Sequence, residues 1–332
     1  MTKIIAFGVT PEEAEVMEQW SKAHSIHVEM TPEYITPETV HLAEGFDGIT
    51  NMQVSDIVEP VYSKLKELGI PVIAQRSAGY EMYDLKAASD NDVIITNVPS
   101  YSPESIAEFA VYAAMRLIRN SDEIDQRVAS QNFTWEPSIR SHSIQSLKVA
   151  VIGVGRIGSR VAKIYKHGFG AEVVGYDIVE HEEFKEHVVY QPDLQTAIRD
   201  ADIVTIHMPL TEDNYHQFNH DLFNQMKPGT TLINAARGKI VKTQDLIEAI
   251  DRGQIKNAAL DVYEDEGPFI PKNWEGQVIE DEVFLQILNH PNIHYTPHIA
   301  YYTDIAVQNL VEGGLNSALE VIKTGTDQHR VN

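Results

Sequence analysis

The 332-residue chain contains no cysteine. Disulfide frameworks, thiolate metal ligands and thiol nucleophiles are thereby excluded, and a reducing compartment suits such a composition. Long apolar runs are missing too. No stretch approaches the roughly 20 consecutive apolar residues of a membrane span, and the run at 4–7 is far shorter than a secretory signal core. The chain reads as cytoplasmic, with no membrane partner. Positive charge is scarce: 26 Lys and Arg face 49 Asp and Glu, for a formal charge of −23. Such a field opposes phosphate backbones and anionic lipid, so nucleic acid is not an expected partner. An anionic small substrate would need its own local cation. Short repeats and low-complexity tracts are absent, and only the polar last few residues read as disordered.

What is present supports two cores, since 43% hydrophobic content over 332 residues exceeds what one ordinary core absorbs. In the first hundred residues, apolar runs at 3–8, 26–30, 45–50, 71–76 and 93–98 alternate with helix-like stretches. That is the rhythm of a parallel α/β sheet. Helix starts are marked at Thr10-Pro11-Glu12-Glu13 and Thr36-Pro37-Glu38, which put proline and acids in a first turn. From Ser105 an apolar series through Ile106, Phe109, Ala110, Ala113 and Leu117 predicts a long amphipathic helix.

A second α/β series begins at Lys148. Lys148-Val149-Ala150-Val151-Ile152 reads as a buried strand running into Gly153-Val154-Gly155-Arg156-Ile157-Gly158 and then a helix over 159–167. Glycines there permit a tight turn and close backbone approach, and a helix start offers free N–H groups to a pyrophosphate. The strand at 172–176 ends in Asp177, nineteen residues past the last glycine, where a carboxylate can accept from the adenosine ribose and repel a 2′-phosphate. NAD, rather than NADP, is the expected cofactor.

Four more strands are expected at 202–208, 230–235, 257–262 and 292–295. Ligands of a doubly wound sheet bind beyond the carboxyl ends of its strands. Those ends present Pro209, Arg237-Gly238, Asp261 with Glu264 and Glu266, and His298. For hydride chemistry on a keto acid, a guanidinium grips the substrate carboxylate, a histidine gives or takes the hydroxyl proton, and a carboxylate holds the imidazole in its charged form. His181 and His187 have the wrong spacing for a metal on one helix face, and their segment reads as a solvated charged stretch; no metal is expected.

In order, these motifs resemble the D-isomer-specific 2-hydroxyacid dehydrogenases over nearly the whole chain, closest to the bacterial D-lactate and D-2-hydroxyisocaproate enzymes. The markers are Lys3-Ile4-Ile5-Ala6-Phe7-Gly8, Asn97-Val98-Pro99-Ser100-Tyr101-Ser102-Pro103, the glycine fingerprint, Asn234-Ala235-Ala236-Arg237-Gly238, Leu260-Asp261-Val262-Tyr263-Glu264-Asp265-Glu266 and Thr296-Pro297-His298-Ile299-Ala300-Tyr301-Tyr302-Thr303. The resemblance implies an α/β fold of two doubly wound parallel-sheet domains: a Rossmann NAD-binding domain (101–299) inserted in a flavodoxin-like substrate domain (1–100 plus 300–332). It implies D stereochemistry and a homodimer with the 102–119 helix near the interface. Its catalytic roles fall on Arg237, Glu266 and His298. Cofactor contacts fall on Gly153, Gly155, Arg156, Ile157, Gly158, Asp177, Met208, Pro209, Asn214, Ala235, Ala236 and Asp261, and substrate contacts on Met52, Ala78, Gly79, Tyr101, Arg237 and Tyr301. Glu264 is the less favoured acid, because the family's partner stands five residues after the aspartate.

Two departures stand out. The loop that relatives build from Asn-Val-Gly-x-Asp-Asn is Ser77-Ala78-Gly79-Tyr80-Glu81-Met82 here, and Met52 replaces a tyrosine common in pyruvate-specific relatives. A thioether gives a softer pocket wall that admits larger substrates. D-lactate dehydrogenase activity with tolerance for larger 2-keto acids is the leading expectation, ahead of a D-2-hydroxyisocaproate enzyme and of a non-catalytic NAD-sensing corepressor. Phosphoglycerate, formate and glycerate dehydrogenases share the fingerprint but fit the remaining motifs less well.

Overall fold

A computed structural model describes residues 2–332 and divides into two compact units, one running to Ser102 and resuming at Tyr302–Asn332, the other spanning Pro103–Tyr301. No helix among the described residues is long and apolar enough to cross a membrane.

The first unit holds one parallel sheet, formed by β1 (Lys3–Phe7), β2 (His27–Met30), β3 (Gly48–Asn51), β4 (Val72–Gln75) and β5 (Ile94–Thr96) in the order β2-β1-β3-β4-β5. Ile4, Ile5, Ala6 and Phe7 are all buried, as a strand covered on both faces requires. The first helix, Pro11–His24, starts with a capping box: Thr10 accepts from the Glu13 backbone while the Glu13 side chain accepts from the Thr10 backbone. The last helix, Asp304–Thr324, packs Val311, Leu315 and Ala318 against Ile4, Ala6 and Val72. Gly314 lies where a Cβ would come within 2.7 Å of the Arg76 side chain.

Arg76 itself is wholly buried. Its Nε donates to Glu13 Oε1 at 2.9 Å, and a terminal nitrogen donates to Glu13 Oε2 at 3.1 Å and to the Phe7 carbonyl at 3.0 Å. The C-terminal tail, expected to be disordered, is ordered instead. Arg330 bridges Thr96 antiparallel, the Val331 amide donates to the Ile95 carbonyl at 2.9 Å, and the Asn332 side chain binds both the Ile95 amide and the Val93 carbonyl. Polar residues thus complete the open edge of β5, a role their composition does not announce.

The second unit contains β6 (Lys148–Ile152), β7 (Glu172–Tyr176), β8 (Val189–Tyr190), β9 (Ile203–Ile206), β10 (Thr230–Asn234), β11 (Ile255–Leu260) and β12 (Ile293–Tyr295), all parallel in the order β12-β11-β10-β9-β6-β7-β8. Strand order reverses between β6 and β9, which makes that point the expected ligand crevice. The two-residue β8 has no counterpart among the strands expected from the sequence. It is too short for a periodic signal, and it is held by its register on β7. The helix predicted over 159–167 is α-helical only over Gly158–Lys163 and widens into a π turn at Ile164–Gly168. The long helix Pro103–Ile118 buries Ala107, Ala110, Ala113, Ala114 and Leu117 against Val149, Val151 and Ile233.

Candidate active site

The cofactor end is built from β6 and β7. Gly153 sits at φ +89°, and a Cβ there would lie 2.7 Å from the His207 carbonyl carbon and the Met208 nitrogen; one on Gly158 would lie 1.9 Å from the Gly153 oxygen. Both positions demand glycine. Gly155 differs: a Cβ added there meets nothing within 4 Å. Among the described residues the N–H groups of Gly155, Arg156 and Ile157 find no protein acceptor. A bare backbone cradle at a helix start suits a pyrophosphate. Asp177 stands directly beyond β7, its carboxylate accepting from the Val154 amide at 2.7 Å and the Val179 amide at 3.1 Å. The carboxylate therefore adjoins the glycine turn, as a ribose acceptor must. These residues fit NAD.

Across the switch point, His207 is held by Thr205 at 2.8 Å, and burial pushes its pKa down to about 3, so it is neutral. Asn214, expected at the cofactor, spends its amide within its own loop, donating to the Pro209 carbonyl and accepting from the Thr211 amide, both at 2.7 Å.

Three adjacent strand ends carry the remaining chemistry, β10, β11 and β12 being neighbours in one parallel sheet. After β10, Asn234 shapes the turn by donating to the Arg237 carbonyl at 3.0 Å and accepting from the Ala236 amide at 3.1 Å. The Arg237 guanidinium follows, partly buried and also bonded to the Ala236 carbonyl. After β11, Asp261 is 3% exposed and gathers the loop after β12: Thr296 Oγ1 donates to it at 2.5 Å, Ile299 N at 3.0 Å and Ala300 N at 2.8 Å. The His298 amide donates to the Asp261 carbonyl at 2.8 Å, holding His298 at φ +56°. A histidine in the left-handed region is strained, and this network offsets the strain.

His298 Nδ1 lies 2.6 Å from Glu266 Oε1, and Glu266 Oε2 accepts from the Tyr263 amide at 2.9 Å. Desolvation pulls the imidazole pKa down, but the Glu266 hydrogen bond and charge, helped by Asp261, outweigh it and leave the pKa raised, Arg237 opposing. Burial likewise pushes the Asp261 carboxyl up, against its Thr296, Ala300 and Ile299 bonds. His298 Nε2 has no protein partner among the described residues and is the nitrogen left for a proton transfer.

In the first unit, Ala78 and Gly79 occupy a loop whose carbonyls are already taken, Ala78 by Asn97 Nδ2 at 2.7 Å and Gly79 by the Ser77 hydroxyl at 2.7 Å. Their N–H groups find no protein acceptor among the described residues, which suits a carboxylate. Met52 is half-buried beside Gly8, where a Cβ would strike the Met52 carbonyl at 2.1 Å. Tyr101 and Tyr301 are each half-buried, at the ends of the first and second units' shared boundaries in sequence. His181 does not meet His187. His187 bonds His167 at 2.9 Å instead, with Glu186 at 3.2 Å, a contact that only the fold reveals. Sequence reasoning also assigned no role to Thr296, Asn234 or His216, although the first two lie inside motifs already singled out.

Residues 111–300 match the model of the D-isomer specific 2-hydroxyacid dehydrogenase, NAD binding domain. The chain is 51% identical over 330 residues to a D-lactate dehydrogenase of Streptococcus pyogenes serotype M1, covering 99% of this chain and 100% of that one. A D-lactate dehydrogenase structure from Treponema pallidum is similar at TM-score 0.93 and 35% identity, covering 100% of both chains. The NAD-complexed D-isomer specific 2-hydroxyacid dehydrogenase of Lactobacillus delbrueckii ssp. bulgaricus is similar at TM-score 0.88 and 34% identity, again over 100% of both. With the glycine cradle, Asp177 and the three strand ends in place, the chain belongs to the D-isomer specific 2-hydroxyacid dehydrogenases, and it is an NAD-dependent oxidoreductase.

Proposed function

We propose that this protein reduces pyruvate to D-lactate and accepts larger 2-keto acids, with Arg237, Glu266 and His298 as its catalytic groups. The observation that carries the reading is the 2.6 Å contact between Glu266 and His298 at the strand end next to Arg237. Bound NADH supplies the hydride for the keto carbon. Arg237 binds the substrate carboxylate through two parallel N–H donors. Protonated His298 delivers its Nε2 proton to the carbonyl oxygen as the alkoxide develops, while its Nδ1–H stays on the ring and donates to the Glu266 carboxylate, which stabilises the imidazolium before transfer. In the oxidative direction, neutral His298 takes the hydroxyl proton. Ala78 and Gly79 amides, Met52, Tyr101 and Tyr301 are assigned to the substrate by the family pattern. The first unit is thereby a substrate domain and the second the NAD-binding domain.

NADH oxidation measured against pyruvate, 2-ketoisocaproate, phenylpyruvate and hydroxypyruvate, with chiral analysis of the product, tests this directly. D-lactate formed at the highest kcat/KM is the expected result; a clear preference for 2-ketoisocaproate would favour the isocaproate reading through Met52.

A homodimer in the cytoplasm completes the proposal. Phe133 and Trp135, 71% and 97% exposed, follow the helix Ser121–Ala129 that succeeds the 103–118 helix, and offer an apolar contact for a second copy. A monomer by sedimentation equilibrium would overturn the dimer.

A further inference from the structure

Glu264 does not serve His298, and its carboxylate is fully engaged elsewhere. Oε2 lies 2.6 Å from His216 Nε2, and Oε1 accepts from the Thr243 amide at 2.9 Å, at the start of the helix Thr243–Asp251. Glu264 and His216 are 16% and 24% exposed. His216 stands at φ +50°, its amide donates to the Lys239 carbonyl at 2.8 Å, and its ring stacks on Tyr215 at 4.0 Å. Beside it, buried Phe218 pairs with Val241, bonding to the Ile240 carbonyl at 3.0 Å and receiving the Lys242 amide at 2.9 Å. Gly238 touches the same place from below: a Cβ there would lie 2.2 Å from the Tyr263 carbonyl.

Three loops therefore meet at one carboxylate. One runs through Asn214–His216, the second starts at Arg237 and the third ends at Glu266. A single residue, Asp265, separates Glu264 from Glu266, and the amide just before Glu264 in the chain, that of Tyr263, is bonded to Glu266. We propose that Glu264 and His216 form a positioning pair that fixes the Arg237 turn against the Glu266 turn, so that the guanidinium and the histidine's carboxylate hold their spacing. Neither residue touches the substrate. The inference rests on the catalytic assignment proposed above.

Glu264→Gln is nearly isosteric, and His216→Asn retains a residue tolerant of the left-handed region, so both variants keep the fold. A displacement of about 1 Å at a reacting group costs on the order of a hundredfold in rate. Each variant should accordingly lose roughly tenfold to a hundredfold in kcat/KM for pyruvate, with the NADH dissociation constant little changed. Inhibition by oxamate, read through Arg237, should weaken, and the alkaline limb of the reduction profile, read through Glu266, should move to lower pH. The double variant should lose no more than the worse single one, since both remove one contact. A merely structural pair would lower the melting temperature without moving the alkaline limb or the oxamate constant, and that result overturns the proposal, as do additive losses. His298→Ala serves as the control. If it retains turnover, the catalytic assignment has failed; if it is inactive while Glu264→Gln and His216→Asn behave as wild type, only the positioning pair has failed.

Discussion

Both units place a cation against a carboxylate at a strand's carboxyl end, yet the two pairs differ in what they leave unsatisfied. In the first unit Arg76 follows β4, is 0% exposed, and has Glu13, Phe7, Gly8 and Thr50 oxygens around its guanidinium. In the second, His298 follows β12 with its side chain 34% exposed, binds one carboxylate through Nδ1, and keeps Nε2 uncommitted. A closed network holds backbone in place. An open one keeps an atom available for chemistry, and its charge state can respond to pH. On hydrogen-bond accounting, the Arg76 pair is spent on structure, whereas the His298 pair keeps the free nitrogen that its proposed catalytic role requires.

Replacing the open partner should cost activity and little else. His298→Ala is expected to lower kcat by roughly 10²–10⁴-fold at every pH, the range contributed by a positioned acid or base, with NADH binding and melting temperature close to wild type. Arg237→Lys should also lose most of its activity, because an ammonium keeps the charge without the planar two-point grip. A Lys variant with wild-type kcat/KM would remove Arg237 as the substrate anchor.

Breaking the closed pair should do the reverse. Glu13→Ala strands a buried guanidinium, at a cost of about 3–5 kcal/mol. Hydrogen exchange should show faster opening of β4 and of the 304–324 helix, while the second unit keeps its protection. Uniform loss of protection through both units would mean that the Arg76–Glu13 pair does not stabilise the first unit separately. Thr10 also loses its reciprocal cap in that variant, so Glu13→Gln provides the milder comparison.

His207 offers an intermediate case, a half-buried histidine with no carboxylate partner. Its folded pKa is depressed to about 3, whereas the unfolded chain protonates near the ordinary value of about 6.5. Protons therefore favour the unfolded state, and the second unit loses stability as pH falls below the unfolded value, continuing until the folded pKa is reached. His207→Gln, which keeps a hydrogen bond to Thr205, should move the acid-unfolding midpoint to lower pH. An unchanged midpoint would mean that other groups control acid unfolding.

Much of this was legible in the sequence, and the exceptions have physical reasons. The glycine fingerprint, Asp177, and the order of Arg237, Asp261, Glu266 and His298 are local signals, because backbone constraints and strand ends leave marks at fixed positions. The contact between Glu264 and His216 joins residues 48 apart, and the Arg76 pair joins residues 63 apart. No periodicity connects such positions, so pairing there emerges only when loops are packed. The C-terminal tail departs from the disorder its composition suggests for a related reason: its polar residues satisfy a sheet edge, a demand set by β5 and not by their own composition.

The smallest effect tests the open pair most closely. Glu266 accounts for the upward pull on His298 through both hydrogen bond and charge, against the downward pull of burial. A raised pKa means that the protonated, reducing form survives to higher pH and disappears as pH rises through the shifted value. Glu266→Gln keeps a hydrogen-bonding group of the same shape and removes the charge, so the imidazole should titrate lower. With hydride transfer rate-limiting, the alkaline limb of pyruvate reduction should move to lower pH, while the oxidative reaction, which needs neutral His298, should extend to lower pH on its acid side. Both shifts must appear together if one group is responsible. Glu264 is committed to His216 and Thr243, and Asp261 to Thr296, Ile299 and Ala300. A profile superimposable on wild type would therefore mean that the field of Asp261 alone holds the histidine charged, and that Glu266 only orients the ring.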